Sequence, residues 1–286
     1  MDCGYAYLEI CGLLLGGRTI TQVEKPTILK LGGSAITVKE SPFTPNEEAI
    51  IRLADEIKRA NVIPLILVHG GGSFGHPLAE KYNLTGGLTD PSQLIGFVKT
   101  HEAMVCLNGL LVNALIDRGI PAFGMPPSSL MLMKKGRVEI LQLRCLTKAI
   151  ENGLTPVLYG DVAFDLDKGF NILSGDKIVA SLALKLGAKR VVMAVDVDGI
   201  YTSDPKVEPS ARLIRHLTLD DLEQLYITIG KPRASDVTGG MLGKVLELVG
   251  PVKQDIEAII VNALKPNNVY KALKGEEPVG TRISRT

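Results

Sequence analysis

Two lysines, one histidine and four glycine-containing turns, three of them after predicted strands, carry the chemistry open to this sequence. Lys30 closes a hydrophobic run, Thr27 to Leu31, that leads into Gly32, Gly33 and Ser34. A second run, "VIPLILV", leads into "HGGGSFGH", His69 to His76. A third, "LTPVLY", leads into Gly160 and Asp161. Lys244 follows a Thr238-Gly239-Gly240 turn toward the other end of the chain. In parallel sheets, ligands bind beyond the carboxyl ends of the strands. Glycine at such a place lets backbone amides close on an anion, and a helix starting just after it adds the positive end of its dipole. Two such loops facing each other would make a phosphate cradle. A lysine beside a flexible turn reaches a phosphate as a mobile point charge. The chemistry indicated is the alignment and neutralisation of anionic phosphorus groups.

Each pattern alone is also compatible with a plain strand-to-helix turn. "GGGSFG" lacks the Gly-Lys-Ser/Thr of a Walker loop. It also has the wrong order for the dinucleotide fingerprint G-x-G-x-x-G, and no acidic strand end stands about 20 residues on. "DVDGIYTSDP" sets Asp196, Asp198 and Asp204 near another strand end. Carboxylates there hold magnesium through water, cap loop amides and an adenosine moiety, or simply form an Asx-turn; the register of an EF-hand is absent.

The elements that must position these residues alternate. Strands are predicted for Thr27–Leu31, "VIPLILVHGGG", "IPAFGMP", "LTPVLYGD", "KRVVMAVDVDGIY" and "IEAIIVN". "GTRIS" reads as a final edge strand. Helices are predicted for "NEEAIIRLADEIKRAN", with Ile50, Leu53, Ala54 and Ile57 at helical spacing, and for the long stretch from Ser92 to Gly119. Further helices are read in "RCLTKAIENG", "GDKIVASLALKLGA", "TLDDLEQLYITIG", "GMLGKVLELVG" and "NVYKALKGE". "VEILQLRCL" looks irregular, and "DVAFDLDKGFNILSGD" resembles a β-hairpin of Val162–Phe164 with Phe170–Leu173. Alternation over this length predicts an α/β fold, a three-layer αβα sandwich on an open, mainly parallel central sheet with right-handed crossovers. A boundary between two lobes that share one sheet is placed near residue 173.

The bulk numbers bound the partners. The 286 residues are 45% hydrophobic and 22% charged, enough for a sizeable core. A formal net charge of +1 argues against nucleic acid or an anionic membrane surface as partner. The absence of Trp weakens any single-strand stacking role. Cys3, Cys11, Cys106 and Cys145 form no Cys-x-x-Cys pair, so reduced thiols in a cytoplasmic protein are expected, with no structural zinc. Residues 1–25 lack the basic start of a secretory signal, and their apolar run is too short to span a bilayer. A small added hairpin, an irregular extension and an artefact of start-site choice all fit them, and no function is placed there.

Taken in order, "KLGGS", "HGGGSFGH", "GD", "DVDGIY" and "DVTGGMLGK" resemble the amino acid kinase superfamily over roughly residues 26 to 284. Within it, "KLGGSAITVKE", "VHGGGSFGHP", "PVLYGDV", "SGD", "DVDGIYTSDP" and the ending "GTRIS" look most like the isopentenyl phosphate kinases of the archaeal type. The histidine of "SFGH" is the most discriminating mark. That family often has "GAGSFGH"; Gly71 replaces the alanine here and keeps the loop flexible. The resemblance implies ATP-dependent phosphorylation of isopentenyl phosphate to isopentenyl diphosphate, in an alternative mevalonate route to isoprenoids. It also implies Mg2+, a homodimer formed through the N-terminal lobe, an acceptor lobe over 26–173 and an ATP lobe over 174–286.

Carried over residue by residue, the resemblance makes Lys30, Lys39, His76 and Lys244 the catalytic set. Lys30, Gly32, Gly33, Gly72, Asp198, Tyr201, Thr238, Gly239 and Lys244 would serve the nucleotide. Gly71, Gly72, Ser73, His76, Gly160 and Asp161 would serve the acceptor. A phosphate oxygen is already a nucleophile, so His76 is expected to position it and not to act as a base. Asp176 is a candidate support for the lysines or magnesium. No direct metal ligand is assigned. The hydrocarbon tail would need a dry pocket from Phe97–Leu111 or Met125–Met133. The nearest alternative is a fosfomycin kinase, whose acceptor is a phosphonate. An acetylglutamate kinase lacks an evident carboxylate-binding group, and a non-catalytic ATP-binding regulator is disfavoured by the lysines and glycines present.

Overall fold

The apolar runs that end in glycine form strands buried on both faces, and the rest of the chain is arranged around them. The computed structural model describes residues 24–203, 205, 207–222 and 237–286. In chain order the first elements are β1 (Thr27–Leu31), α1 (Gly33–Ile36), α2 (Glu47–Ala60), β2 (Leu65–His69), α3 (Gly72–Lys81) and α4 (Ser92–Ile116). Then come β3 (Ala122–Gly124), β4 (Met131–Lys134), β5 (Arg137–Leu141), α5 (Leu143–Glu151), β6 (Thr155–Tyr159), β7 (Asp161–Asp165) and β8 (Gly169–Leu173). The last are α6 (Gly175–Leu186), β9 (Arg190–Val195), β10 (His216–Thr218), α7 (Val237–Lys253), β11 (Glu257–Asn262), α8 (Asn268–Lys274) and β12 (Gly280–Ser284). The extension over 1–25 falls almost wholly outside the described residues, as do Asp204 and most of the helix read in 218–230.

The large sheet has the order β10-β12-β11-β9-β1-β2-β6-β3. Every pairing in it is parallel except β11 with β12. Continuous apolar strands suit such a sheet because helices cover both faces. Alternate residues divide accordingly. Leu29, Leu31, Leu67, Tyr159 and Val192 pack against α2, α4 and α8 through Leu53, Ile57, Leu107, Leu111 and Val269. Ile28, Ile66, Val68, Leu158 and Val191 pack on the other face against α5, α6 and α7 through Leu146, Ile178, Leu182, Leu248 and Val252. This is the expected three-layer α/β sandwich.

Local signals set the helix ends. The Asn46 side chain caps α2 by accepting from Ala49 N at 3.1 Å, and Asn61 ends it in the left-handed region. Ser174 caps α6, accepting from Lys177 N at 3.3 Å. Glu56, buried under α2, accepts from the backbone N of Asn267 and of Tyr270 at 2.9 and 3.0 Å, so it satisfies the open end of α8 from a distance.

Two readings of the sequence need correction. "GTRIS" is not an edge strand: β12 lies between β10, to which it is parallel, and β11, to which it is antiparallel. The chain returns to fill a slot, and the edge falls to the short β10. "VEILQLRCL" is not irregular either, since Arg137–Leu141 is a strand paired with β4. With the expected hairpin of β7 and β8, it forms a second sheet of order β5-β4-β7-β8. A register shift between Leu132 and Met133 breaks the alternation along β4, which hides the hairpin from a period-two reading.

β1 is the switch point. Its neighbours are β2 on one side and β9 on the other, and the chain winds away from it in both directions. The register sets Leu31 level with both His69 and Ala194, and His69 level with Tyr159. The loops after β1, β2, β6 and β9 therefore open at one end of the sheet, where ligands bind in folds of this kind.

Candidate active site

Those loops enclose a cavity of about 530 Å³. Lys30, Lys39, His76 and Lys244 all line it, as do Gly32, Gly33, Gly71, Gly72, Ser73, Gly160 and Asp161. Asp198 and Tyr201 do not. The Asp198 carboxylate is held instead by Lys265 at 2.7 Å, Asn262 at 2.9 Å and the Tyr201 hydroxyl at 3.2 Å. Thr238 and Gly239 fall in the first turn of α7, which starts at Val237, so no turn separates them from the helix. Their side-chain surroundings lie outside the described residues.

The first and second glycine loops touch. A Cβ on Gly33 would run into the backbone N of Gly72, and Gly72 itself has φ +46. Only glycine permits this approach. The contact is tied further by Thr37, whose hydroxyl donates to Gly33 O at 2.9 Å and accepts from Ser73 N at 3.0 Å. Ser73 Oγ donates to Thr44 O at 3.3 Å. The hydroxyl of Ser73 thus fastens the loop that carries Lys39. Two glycine amides are also already occupied: Gly32 N donates to Ala194 O at 2.7 Å and Gly160 N to His69 O at 2.8 Å. They extend the sheet by one residue. Gly33, Gly71 and Gly72 donate to no protein acceptor among the described residues.

One carboxylate organises both cations, the buried Lys30 and the half-buried Lys244. Asp176, in the first turn of α6, lies 2.9 Å from Lys30 Nζ and 3.5 Å from Lys244 Nζ. Lys30 is 4% exposed. Burial lowers its pKa from the ordinary lysine value; Asp176 works against this, and Lys244 adds to it. Burial raises Asp176, but the two lysines outweigh it and hold the carboxyl below its usual range. The result is a compact cluster of two cations and one anion, with a net positive charge facing the cavity.

His76 stands on α3 at the mouth of the cavity. The residue is exposed at the rim, yet partial desolvation of its ring comes first and Lys244 and Lys30 repel a proton, so its pKa lies below the ordinary histidine value. His69, by contrast, is a packing residue. Its ring is fully buried, stacked on Tyr159 at 5.4 Å, and met by Asn108 Nδ2 at 3.2 Å. Burial takes its pKa to about 4.

The apolar end of the cavity is formed by Met104 and Thr100 of α4 with Ile172 and Leu173 of β8. Met125, Met131 and Met133 go into the core. Two groups escaped the sequence reading. The Thr100 hydroxyl is buried without a protein partner among the described residues. His101, the next residue, donates from Nδ1 to Asp161 Oδ2 at 2.7 Å. Neither belongs to a motif, and no spacing rule connects positions 101 and 161.

Switch-point loops, paired lysines on a shared aspartate and abutting glycine turns define a phosphoryl-transfer fold, and the chain belongs to the amino acid kinase family, which its residues 25–262 match. Relatives at 34 to 40% identity within that family are isopentenyl phosphate kinases. It is 40% identical over 265 residues to that of Methanothermobacter thermautotrophicus, covering 90% of this chain and 98% of the relative. It is 34% identical over 270 residues to that of Methanocaldococcus jannaschii, with coverage of 90% and 98%. A crystal structure of an isopentenyl phosphate kinase superposes with a TM-score of 0.79 at 36% identity, covering 90% of this chain and 100% of the other. The product complex of the Thermoplasma acidophilum enzyme gives 0.72 at 30% identity, with coverage of 90% and 99%.

Proposed function

We propose that this chain transfers the γ-phosphoryl group of ATP directly to isopentenyl phosphate, giving isopentenyl diphosphate and ADP. What carries the reading is that Lys30 and Lys244, held by one carboxylate, share a cavity with His76 and with glycine amides that have no protein acceptor among the described residues. Such a reaction needs little covalent help from the protein. It needs two anions aligned in line and their charge neutralised in a site that restrains water.

In this reading, residues 26–173 hold the acceptor and 174–286 the nucleotide. Gly71, Gly72 and His76 take the acceptor's phosphate. Gly33 and Lys244 take the β and γ phosphates, and Lys30 and Lys39 meet the group in transit. Asp161 and Gly160 form the wall beyond the phosphate. The tail lies against Met104, Ile172 and Leu173. Asp198, Tyr201, Thr238 and Gly239 belong to the outer nucleotide pocket. Among the described residues no three His, Cys, Asp or Glu side chains group as a metal site. Mg2+ fits this arrangement as an ion carried by the nucleotide phosphates, with the cavity-lining carboxylate of Asp196 as a water-bridged partner. Its chemistry there is charge neutralisation on the phosphate oxygens.

The test is ATP consumption with isopentenyl phosphate, dimethylallyl phosphate, fosfomycin and acetylglutamate in parallel. Turnover with isopentenyl phosphate is expected. Turnover confined to fosfomycin would establish the alternative phosphonate kinase.

The same reading makes the protein a cytoplasmic homodimer, joined by the N-terminal lobe. α4 is apolar and long enough by composition to cross a membrane, yet one side of it packs into the core through Met104, Leu107, Leu111 and Leu115. The other side exposes Leu94, Ile95, Val98, Val105, Leu110 and Ile116. With a net charge of +1, a second copy meets little electrostatic resistance there. Light scattering is expected to give twice the 30.7 kDa chain mass. A paired Val98→Glu, Val105→Glu variant should give the single mass. A wild type that stays monomeric at micromolar concentration would refute the dimer.

A further inference from the structure

A second buried carboxylate belongs to a residue of the cavity wall, apart from the lysine cluster. Asp161 opens β7, and its side chain is 0% exposed. Three elements converge on it. Its Oδ2 accepts from His101 Nδ1 at 2.7 Å, its Oδ1 accepts from Val162 N at 2.8 Å, and the Ser128 side chain also hydrogen-bonds to it. His101 comes from the middle of α4, with its side chain one-third exposed. Asp161 therefore ties α4, the turn after β3 and the start of β7 together beside Gly160.

On the reading that the cavity takes a phosphate acceptor, this carboxylate is misplaced. A fixed negative charge in the wall repels an anionic guest, and low-dielectric surroundings strengthen the repulsion. The net positive charge of Lys30 and Lys244 is centred on Asp176, and neither lysine contacts Asp161 among the described residues. The one cation in contact with Asp161 among the described residues is His101. We propose that His101 is a positioning residue for the acceptor: as an imidazolium it cancels the Asp161 charge, so that the carboxylate can brace the Gly160 turn without repelling the incoming phosphate. The hydrogen bond to Asp161 raises the pKa of His101, while burial raises the Asp161 carboxyl against the hydrogen bonds from His101, Val162 and Ser128 that favour its ionised form. A purely structural hydrogen bond would not need the charge.

Three variants separate charge from shape, assayed for the KM of each substrate, kcat and the melting midpoint. His101→Asn keeps an N–H near the Nδ1 position and removes the charge; the KM for isopentenyl phosphate is expected to rise about tenfold, with the KM for ATP and kcat within about twofold. His101→Lys restores the charge with altered geometry and should bring the acceptor KM back to within about threefold of native. Asp161→Asn added to His101→Asn removes the uncompensated anion and should lower the acceptor KM again by about fivefold. A double variant no better than His101→Asn, or a Lys variant as poor as Asn, overturns the proposal, as does a parallel rise in both KM values. If a variant melts below the assay temperature, calorimetric binding of isopentenyl phosphate at a lower temperature supplies the same ranking. A wild type that phosphorylates none of the acceptors would refute the kinase reading itself. A wild type that turns over isopentenyl phosphate beside an unaffected His101→Asn would refute only this inference.

Discussion

Lys30→Met is expected to lower kcat by about 10³-fold while leaving the KM for isopentenyl phosphate within about threefold of native. The expectation follows from where the charge is held. Lys30 ends β1 at the switch point, 4% exposed, with Asp176 at 2.9 Å. An ammonium at that depth is favoured chiefly by the Asp176 carboxylate, with a smaller contribution from Asp196. Burial drives its pKa below the lysine value of 10.5, Lys244 drives it further down, and Asp176 opposes both. Met keeps the volume and the apolar stem and removes the charge, so the loss falls on the step in which negative charge accumulates between donor and acceptor. A guanidinium in the same place is too wide and too rigid to restore it. Asp176→Asn provides the partner test. With the anion gone, burial and Lys244 both favour loss of the Lys30 proton and only the weaker Asp196 charge opposes them, so the alkaline limb of kcat should move to lower pH. Lys30→Met must be checked by thermal melting, since Asp176 is then left with Lys244 alone at 3.5 Å. A normally melting variant with kcat within tenfold of native would remove Lys30 from the transfer step.

Much of this site is legible in the chain because its parts are local. The run into Gly32 and Gly33 and the run into Gly70 to Gly72 each state a strand, a turn and a helix start within about ten residues. Switch-point geometry then follows from the alternation of elements, since loops at the carboxyl ends of neighbouring parallel strands must meet. The parts that could not be read are those fixed by pairing at a distance. The slot of β12 between β10 and β11 depends on a return of the chain that no periodicity records. The pairing of Asp161 with His101 joins positions 60 apart; Asp161 stands out as part of the "GD" turn, but nothing in the sequence marks His101 as its partner. Asp176 lies between: the sequence offers it as a support for the lysines or magnesium, but only folding reveals that one carboxylate spans both lysines. Gly32 and Gly160 show the opposite limit. Their loops suggest phosphate donors, yet their N–H groups complete the sheet, because the ladder runs one residue past each strand.

His76→Ala is expected to lower kcat by about 10²-fold and to leave the KM for ATP within about twofold, with His76→Gln retaining about ten times the activity of Ala. The contrast between the two variants depends on the protonation state. Desolvation by the cavity walls, with Lys244 and Lys30 behind, lowers the His76 pKa, so at neutral pH the free protein presents an uncharged ring with one N–H. A neutral donor of similar reach can therefore replace part of its work. A general base could not be replaced in this way, and Gln would then be as poor as Ala. The pH profile gives a second discrimination. The acceptor's own second ionisation, near pH 6 for a phosphate monoester, makes the attacking oxygen competent without help. The acid limb of kcat/KM should accordingly persist in His76→Gln, because it belongs to the substrate. If that limb vanished with the imidazole, His76 would be taking the proton itself, and the transfer would need a base that a phosphate nucleophile has no use for.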